Sequence, residues 1–263
     1  MHKKNMYSLD ANVPTLGQEG SDSFGVERNV VNMRFTSGLD LGQLPDGVEW
    51  MIALKSATIS NSNPNISALI GNNTLRVSYD GGNTYITLTL PDGCYTLTDI
   101  NNKLQSQTSG NPDIVFSVDP PTDLIVCTVA AGIHVDLTEP FGLWLGFNSY
   151  LVANPNTSTA FTGTSLPNVT NGVIGLYIHC SGIDQSYSDG DATDVLYRHS
   201  IVDAPPNAYM NIKPFELVWL PLQTGYRVNT LTVTLTCNTG DQWRNRAKPW
   251  YIELVIAPKR EDM

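Results

Sequence analysis

Four aspartates in one polar segment are the residues whose type and spacing best suit metal binding. The segment reads DQSYSDGDATD, and its carboxylates are Asp184, Asp189, Asp191 and Asp194. Carboxylate oxygens are preferred Ca²⁺ ligands, but the EF-hand order of alternating oxygens, a glycine and a glutamate at the twelfth position is absent from this segment. We therefore favour a solvated turn, with a calcium site at Asp184 to Asp194 as the alternative.

The histidines are the residues that acid–base or nucleophilic catalysis would use. His179 is followed by Cys180 in a strand pattern, so the two side chains should point to opposite faces and cannot pair as base and nucleophile. His134 and His199 belong to no recognisable local catalytic motif, and a triad assembled in space stays open. The sequence has no G-x-S-x-G, H-E-x-x-H, Walker or G-x-G-x-x-G motif. We predict a protein that is not an enzyme, without catalytic residues, cofactor or metal.

Aromatic residues crowd the last third of the chain and allow two interpretations. They are Trp219, Trp243, Trp250, Tyr209 and Tyr226. A carbohydrate-binding β-sandwich could use such rings, but cores and subunit interfaces also depend on aromatic side chains. We favour core and interface contacts over a sugar platform.

The cysteines favour a chain that folds in a reducing compartment. Cys94, Cys127, Cys180 and Cys237 are widely spaced, and the last three lie in apolar strand patterns, which favours buried thiols over disulfides or metal ligands.

The two lysines near the start are not followed by an apolar segment, so we expect no signal peptide. No apolar run approaches the roughly 20 residues that span a bilayer.

Charge is distributed unevenly along the chain. The formal net charge is −10, and the 94 residues from Leu104 to Tyr197 contain nine acidic residues and no lysine or arginine. Because phosphate contacts need cations, this span is not expected to bind nucleic acid. It is either a solvated polar face or a surface that points outward.

Short apolar patterns bounded by turn residues predict an all-β sandwich or roll. Five such patterns follow Asn171: GVIGLYIHCSGI, DVLYRHSIV, FELVWLPL, VNTLTVTLTC and WYIELVIAP. Two earlier strands are predicted over 26–35 and 48–59, and TLRVSYDGGNTYITLTL predicts a hairpin. Further strand patterns are IVFSV, LIVCTV and IHVDL.

The segment CYTLTDINNKLQSQ changes to helical periodicity. Leu97, Ile100 and Leu104 fall on one helical face, and Thr98 is a plausible N-cap. We expect one short helix, since EPFGLWLGF is too short and too Gly-interrupted for a strong one.

Residues 148–171 and the Asp-rich segment predict two long loops. The expected organisation is an extended N-terminal arm over 1–25 and one domain over 26–258.

The order of several motifs resembles a known family. They are Pro91, Gly93 and Tyr95 before the helix; Leu145, Gly146 and Phe147; Cys180 at a strand end; and Trp219, Leu220 and Pro221. This order resembles the small capsid protein, or penton, of Polintons, adintoviruses, polinton-like viruses and virophages. The resemblance covers roughly 77–256, and the order of the motifs is more specific than any one of them.

This resemblance implies a single jelly-roll fold and a structural role in an icosahedral virion. The expected protein is a minor capsid protein that forms homopentamers at the vertices, beside a double jelly-roll major capsid protein. A vertex spike or other minor capsid proteins would be further partners, and assembly would take place inside the host cell. The span Leu104 to Tyr197 would form the exposed rim, and the N-terminal arm would reach beneath the shell.

Two other classes are weighed against this one. A β-sandwich adhesin or lectin-like module would line a sugar site with Trp243 and Trp250. A hydrolase on a jelly-roll frame has the least support, because it would have to work without a recognisable motif.

Overall fold

The structure is a computed structural model, and its packing divides into two units. It describes residues 7–13, 30–42, 44, 48–108, 113–148, 151–153, 157–183, 186–188, 191–223, 227–245 and 248–259. Unit 1 is formed by residues 1–63 and 173–263, and unit 2 by residues 64–172. Unit 2 is therefore an insertion in the sequence of unit 1.

The regular secondary structure of the described residues consists of antiparallel strands and two short helices. In chain order they are β1 (Tyr7–Val13), β2 (Val30–Asp40), β3 (Trp50–Ser60), β4 (Thr74–Ser78), β5 (Ile86–Thr89), α1 (Leu97–Gln107), β6 (Ile114–Asp119), β7 (Leu124–Val129), β8 (His134–Asp136), α2 (Pro140–Trp144), β9 (Leu151–Ala153), β10 (Thr159–Thr162), β11 (Gly175–Cys180), β12 (Ser186–Ser188), β13 (Asp191–Thr193), β14 (Val195–Ser200), β15 (Tyr209–Ile212), β16 (Leu220–Pro221), β17 (Arg227–Cys237) and β18 (Trp250–Pro258).

Eight strands of unit 1 have the order of a jelly roll. One sheet has the order β1-β18-β3-β15, and the other has the order β14-β11-β17-β2. Pairing is nested, because β1 pairs with β18, β2 with β17, β3 with β15 and β11 with β14. Rolling one long antiparallel hairpin on itself produces this order. The all-β single jelly-roll fold predicted from the sequence is confirmed.

One apolar core lies between the two sheets of unit 1. In β17, Leu231, Val233 and Leu235 are fully buried, while the threonines between them are only partly buried. This alternation is what a strand with one face on the core requires. Trp243 and Trp250 belong to the same core, and the Trp243 indole Nε1 donates to the Ser60 carbonyl at 3.3 Å.

Unit 2 has a separate core. Its strands form two sheets, β5-β4-β8-β9 and β10-β7-β6. Phe116 lies at the centre, with ring centroids 5.8 Å from Phe141 and 6.3 Å from Phe147. Helix α1 is joined to β6 by a reciprocal pair of hydrogen bonds: the Asn101 amide donates to the Phe116 carbonyl at 2.8 Å and accepts from the Phe116 N–H at 2.9 Å.

The arm over 1–25 and the single domain over 26–258 stay predictions beside this division into two units. Strand β1 lies within the predicted arm, and it pairs with β18 from Tyr7↔Ile256 to Val13↔Trp250. Residues 64–172 separate from the rest because they enclose their own apolar cluster. The remainder of the predicted arm, 1–6 and 14–25, lies outside the described residues.

The predicted N-cap of α1, Thr98, is wrong. The N-cap is Thr96, whose Oγ1 accepts from the Asp99 N–H at 3.1 Å, while the Asp99 carboxylate accepts from the Thr96 N–H at 2.9 Å. This capping box satisfies two backbone donors at once, which a cap at Thr98 would not. Ile100 and Leu104 are buried as expected. The segment EPFGLWLGF contains a second short helix, α2.

The predicted strand FELVWLPL is reduced to the two residues of β16. Strand β15 pairs with β3 as far as Ile212↔Ala57, and β16 resumes the pairing at Leu220↔Ile52. Seven residues, 213–219, thus lie opposite the four residues 53–56. The surplus residues leave the sheet as a loop, which we call the edge loop (residues 213–219).

The two segments predicted as long loops also contain strands. Within 148–171, β9 pairs with β8 and β10 pairs with β7. In the Asp-rich segment, β12 and β13 form a small hairpin. Tertiary pairing forms these short strands in polar sequences that lack apolar alternation.

Three of the cysteines are buried free thiols. Cys127 lies in the core of unit 2, and Cys180 and Cys237 lie in the core of unit 1. Burial raises the pKa of each of the three thiols to about 12. Thiolate, the reactive form, is therefore scarce at neutral pH.

Replacing Thr96 by alanine should destabilise α1 by about 1 kcal/mol, since one side of the capping box is lost. Thr98→Ala is the matched control, because Thr98 is exposed and its loss should change stability by less than about 0.5 kcal/mol. Hydrogen exchange of the α1 amides in the full chain measures both. Equal effects of the two substitutions would contradict the assignment of Thr96 as the cap.

At pH 8, Ellman's reagent should label at most Cys94 in the native chain, because the other three thiols are buried and their pKa values are about 12. Denaturant should expose all four. Labelling of native Cys180 or Cys237 within minutes, located by mass spectrometry, would show that the core of unit 1 is open.

Candidate functional site

A hydrogen-bonded chain of Asp194, His179 and Thr236 crosses one sheet of unit 1. His179 Nδ1 lies 2.6 Å from Asp194 Oδ1, and His179 Nε2 lies 2.7 Å from Thr236 Oγ1. Carboxylate, imidazole and hydroxyl in this order resemble a catalytic triad. Cys180 is fully buried while the side chain of His179 is partly exposed, as alternation along the strand requires.

The surroundings of Thr236 favour a structural role for this chain of hydrogen bonds. An acyl-transfer site needs backbone donors that are free to bind a developing oxyanion. The N–H of Cys237, the residue after Thr236, donates instead to the Asp241 carbonyl at 2.7 Å, and the Trp243 N–H donates to the Leu235 carbonyl at 3.0 Å. What the arrangement does is tie β11, β17 and the start of β14 together on one face of the sheet.

The other two histidines weighed in the sequence lie in different units. His134 is buried in β8 of unit 2, opposite Ser78 of β4. A Cβ at Gly82 would come within 2.7 Å of His134 Nδ1, so only glycine fits at that turn. His199 lies in β14 of unit 1, where burial lowers its pKa. His134 Nε2 is buried and has no hydrogen-bond partner among the described residues.

The Asp-rich segment is described only in part. Asp184 and Asp189 lie outside the described residues, Asp191 begins β13, and Asp194 is the partner of His179. Among the described residues, no group of three or more His, Cys, Asp or Glu side chains is placed to hold a metal ion. A calcium site at this segment stays untested, because the side chains of Asp184, Asp189 and Asp191 are outside the part of the chain that the structure describes.

The aromatic residues separate into core and surface positions. Trp243 and Trp250 are 0% and 2% exposed, so they cannot offer a ring face to a sugar. The lectin-like alternative loses the two residues on which it rests. Tyr209 and Trp219 are at least partly exposed, and Tyr226 lies outside the described residues.

The first motif of the family resemblance forms a compact turn in unit 2. The Tyr95 hydroxyl donates to the Pro91 carbonyl at 2.8 Å, which folds the ring back over Gly93. A Cβ at Gly93 would lie 2.4 Å from that ring, so glycine is required there. The P-x-G-x-Y order is thus a folding unit that delivers the chain into α1.

The second motif fixes the core of unit 2 in a similar way. Gly146 has a φ of +90°, and a Cβ there would lie 2.1 Å from the Ser165 carbonyl oxygen. The Gly146 carbonyl accepts from the Thr164 N–H at 2.9 Å, while Leu145 and Phe147 on either side are fully buried. These motif positions hold the fold and leave no functional group pointing at a ligand.

The edge loop is an exposed apolar segment of unit 1. Phe215 is 101% exposed, Val218 is 53% exposed and Leu217 is 37% exposed. Both ends of the loop are fixed: Ile212 is buried in the core, and the Leu222 N–H donates to the Trp50 carbonyl at 2.8 Å. Exposed apolar residues on a fixed base are typical of interaction surfaces.

Unit 2 carries more acidic than basic residues. Unit 2 contains eight acidic residues and two basic ones. One of the basic residues, Arg76, is already paired with Asp136 at 3.2 Å and stands 5.0 Å from the centroid of the Tyr85 ring. The span without lysine or arginine begins at Leu104 within unit 2 and ends at Tyr197 in β14. Such a surface repels phosphate groups.

In the part of the chain that the structure describes, we find no helix with the length and apolarity that a membrane span needs. No protein-family profile and no curated protein match the sequence.

Solved structures do match in fold. The crystal structure of the mavirus penton protein has a TM-score of 0.51 with 9% sequence identity, over 97% of this chain and 100% of that chain. A chain in the cryo-EM structure of the Sputnik virophage has a TM-score of 0.46 with 13% identity, over 97% and 98% of the two chains. At 9% identity the first of these likenesses concerns the fold alone. The chain is therefore similar in fold to a penton protein, with a single jelly roll as its frame.

Proposed function

We propose that this chain is a structural capsid protein, a penton that forms homopentamers at the vertices of an icosahedral virus shell. The observation that carries the proposal is the complete nested strand order of unit 1 together with the likeness to the mavirus penton protein over nearly the whole of both chains. Jelly rolls of eight strands are a common frame for viral capsid and lectin domains. The burial of Trp243 and Trp250 favours the capsid class of the two.

The chemistry of the described surface supports a protein that works by shape and contact. The motif glycines and aromatics are used for folding, and the N–H next to Thr236 is committed within the chain. The exposed apolar edge loop is available for interaction. A penton needs such contacts because each copy must hold two neighbours in a closed ring.

The partners in this proposal are further copies of the chain and a double jelly-roll major capsid protein around the ring. A vertex spike or other minor capsid proteins are additional partners. The location is the capsid vertex, after assembly inside the host cell. Direct nucleic-acid binding is not part of the proposal, since the net charge of −10 opposes contact with phosphate.

The purified chain should form a closed ring of five copies, with five times the monomer mass of 28.8 kDa. Mass photometry gives the number of copies, and negative-stain class averages give the symmetry. A glycan array on the same sample is the control for the lectin-like class, because a penton need bind no sugar.

A persistent monomer at assembly-like concentration and salt would contradict the proposal. Specific sugar binding by such a monomer would favour the lectin-like module instead. A closed ring of another symmetry would keep an assembly function and exclude the vertex position, which requires fivefold symmetry.

A further inference from the structure

The two lateral sides of the jelly roll in unit 1 differ in a way that bears on assembly. Strands β1 and β2 lie beside each other and form the outer strands on one side. Strands β15 and β14 are the outer strands on the other side. Each side thus presents the edges of two sheets, and we call them the long-edge side (β1 and β2) and the loop side (β14, β15 and the edge loop).

In the part of the chain that the structure describes, the long-edge side consists of two edge strands. Strands β1 and β2 are seven and eleven residues long, and among the described residues each has one strand partner, β18 and β17 respectively. The sequence of β2, VVNMRFTSGLD, is mainly apolar or β-branched in its first half and has few charges. Long edge strands of this kind are liable to pair with other chains unless something covers them.

The loop side has the opposite character. Strands β15 and β14 are only four and six residues long, and the edge loop interrupts the outer strand after Ile212. Its side chains, led by the fully exposed Phe215, stand away from the sheet. A tip of this kind suits insertion against another surface and opposes the addition of a continuous strand.

The areas involved fit an interface between copies. A fully exposed aromatic side chain offers about 150–250 Å² for burial. A standard interface buries about 800 Å² on each partner. Phe215, Leu217 and Val218 therefore supply an apolar centre on one copy, and the rest of the area buried on that copy must come from neighbouring residues of the loop side.

The symmetry of an assembly determines which of these two sides meet at the interface between copies. A twofold dimer places like sides together, so it would cover either the long edges or the edge loop and leave the other exposed. A cyclic ring places unlike sides together and covers both features in every copy. Resting on the proposed function, we propose that the edge loop of one copy docks against the β1–β2 edge of the next copy around the ring.

A photo-crosslinker tests this contact directly. The full chain is made with p-benzoylphenylalanine in place of Phe215, irradiated, and digested for mass spectrometry. We expect crosslinks between copies that map to residues 7–13 or 30–40. The same crosslinker at Leu166, which is 66% exposed in unit 2, is the control for random capture and should give no crosslink to those segments.

A second measurement uses substitution. Phe215→Glu should raise the concentration at which half of the rings form on the order of tenfold or more, because a charge replaces the apolar centre of each contact. Leu166→Glu, with the same charge change at an exposed apolar position, should leave ring formation unchanged. Both substitutions are at exposed positions, and unchanged circular dichroism would confirm that the variants fold.

The outcomes separate the inference from the function on which it rests. Rings that form normally with Phe215→Glu, or whose crosslinks from position 215 map elsewhere or within one copy, would overturn the inference and leave the penton proposal standing. A wild-type chain that forms no ring would overturn the penton proposal itself. Rings that cross-link to β1 or β2 and weaken with Phe215→Glu support both.

Discussion

The rest of unit 1 depends on the antiparallel pairing of β3 on both of its edges. Along one edge β3 pairs with β18, and along the other it pairs with β15 and then β16. Its residues from Trp50 to Leu54 are all buried, so it has no solvent face over that length. With both edges and both faces occupied, β3 cannot slip in register without moving every neighbour. This pairing also determines where the edge loop leaves the sheet. Only four β3 residues, 53–56, lie between the pairs Ile212↔Ala57 and Leu220↔Ile52, whereas seven residues, 213–219, connect Ile212 to Leu220.

Local patterns predicted the elements whose determinants are close in sequence. The hairpin of β4 and β5 is carried by turn residues between alternating strands, and α1 by the spacing of Ile100 and Leu104. Thr98 was mistaken for the cap because both threonines precede the apolar positions, and only the return bond from Asp99 distinguishes Thr96. The helix α1 itself is therefore predicted correctly, and the error concerns only the position of its N-cap.

The features that the sequence did not reveal depend on residues far apart in the chain. His179 and Thr236 are separated by 57 residues and meet because β11 and β17 are neighbours. The apolar run FELVWLPL has the composition of a strand. Only its pairing with β3, which offers too few residues opposite it, shows that most of the run must leave the sheet. For the same reason the sequence does not show that unit 2 has a core of its own, since the strand patterns of the two units look alike until the strand pairing is known.

The pairing of β1 with β18 has a consequence for the order of folding. These strands are more than two hundred residues apart, and closing such a long separation is slow compared with local contacts. During synthesis β1 has no partner until β18 has emerged from the ribosome, whereas unit 2 lies between residues 64 and 172 and has all of its strand partners much earlier. Unit 2 can therefore complete its core while the later strands of unit 1 are still being made. The sheet that contains β1 can close only after β18 has been made, so its closure comes later than the completion of the core of unit 2.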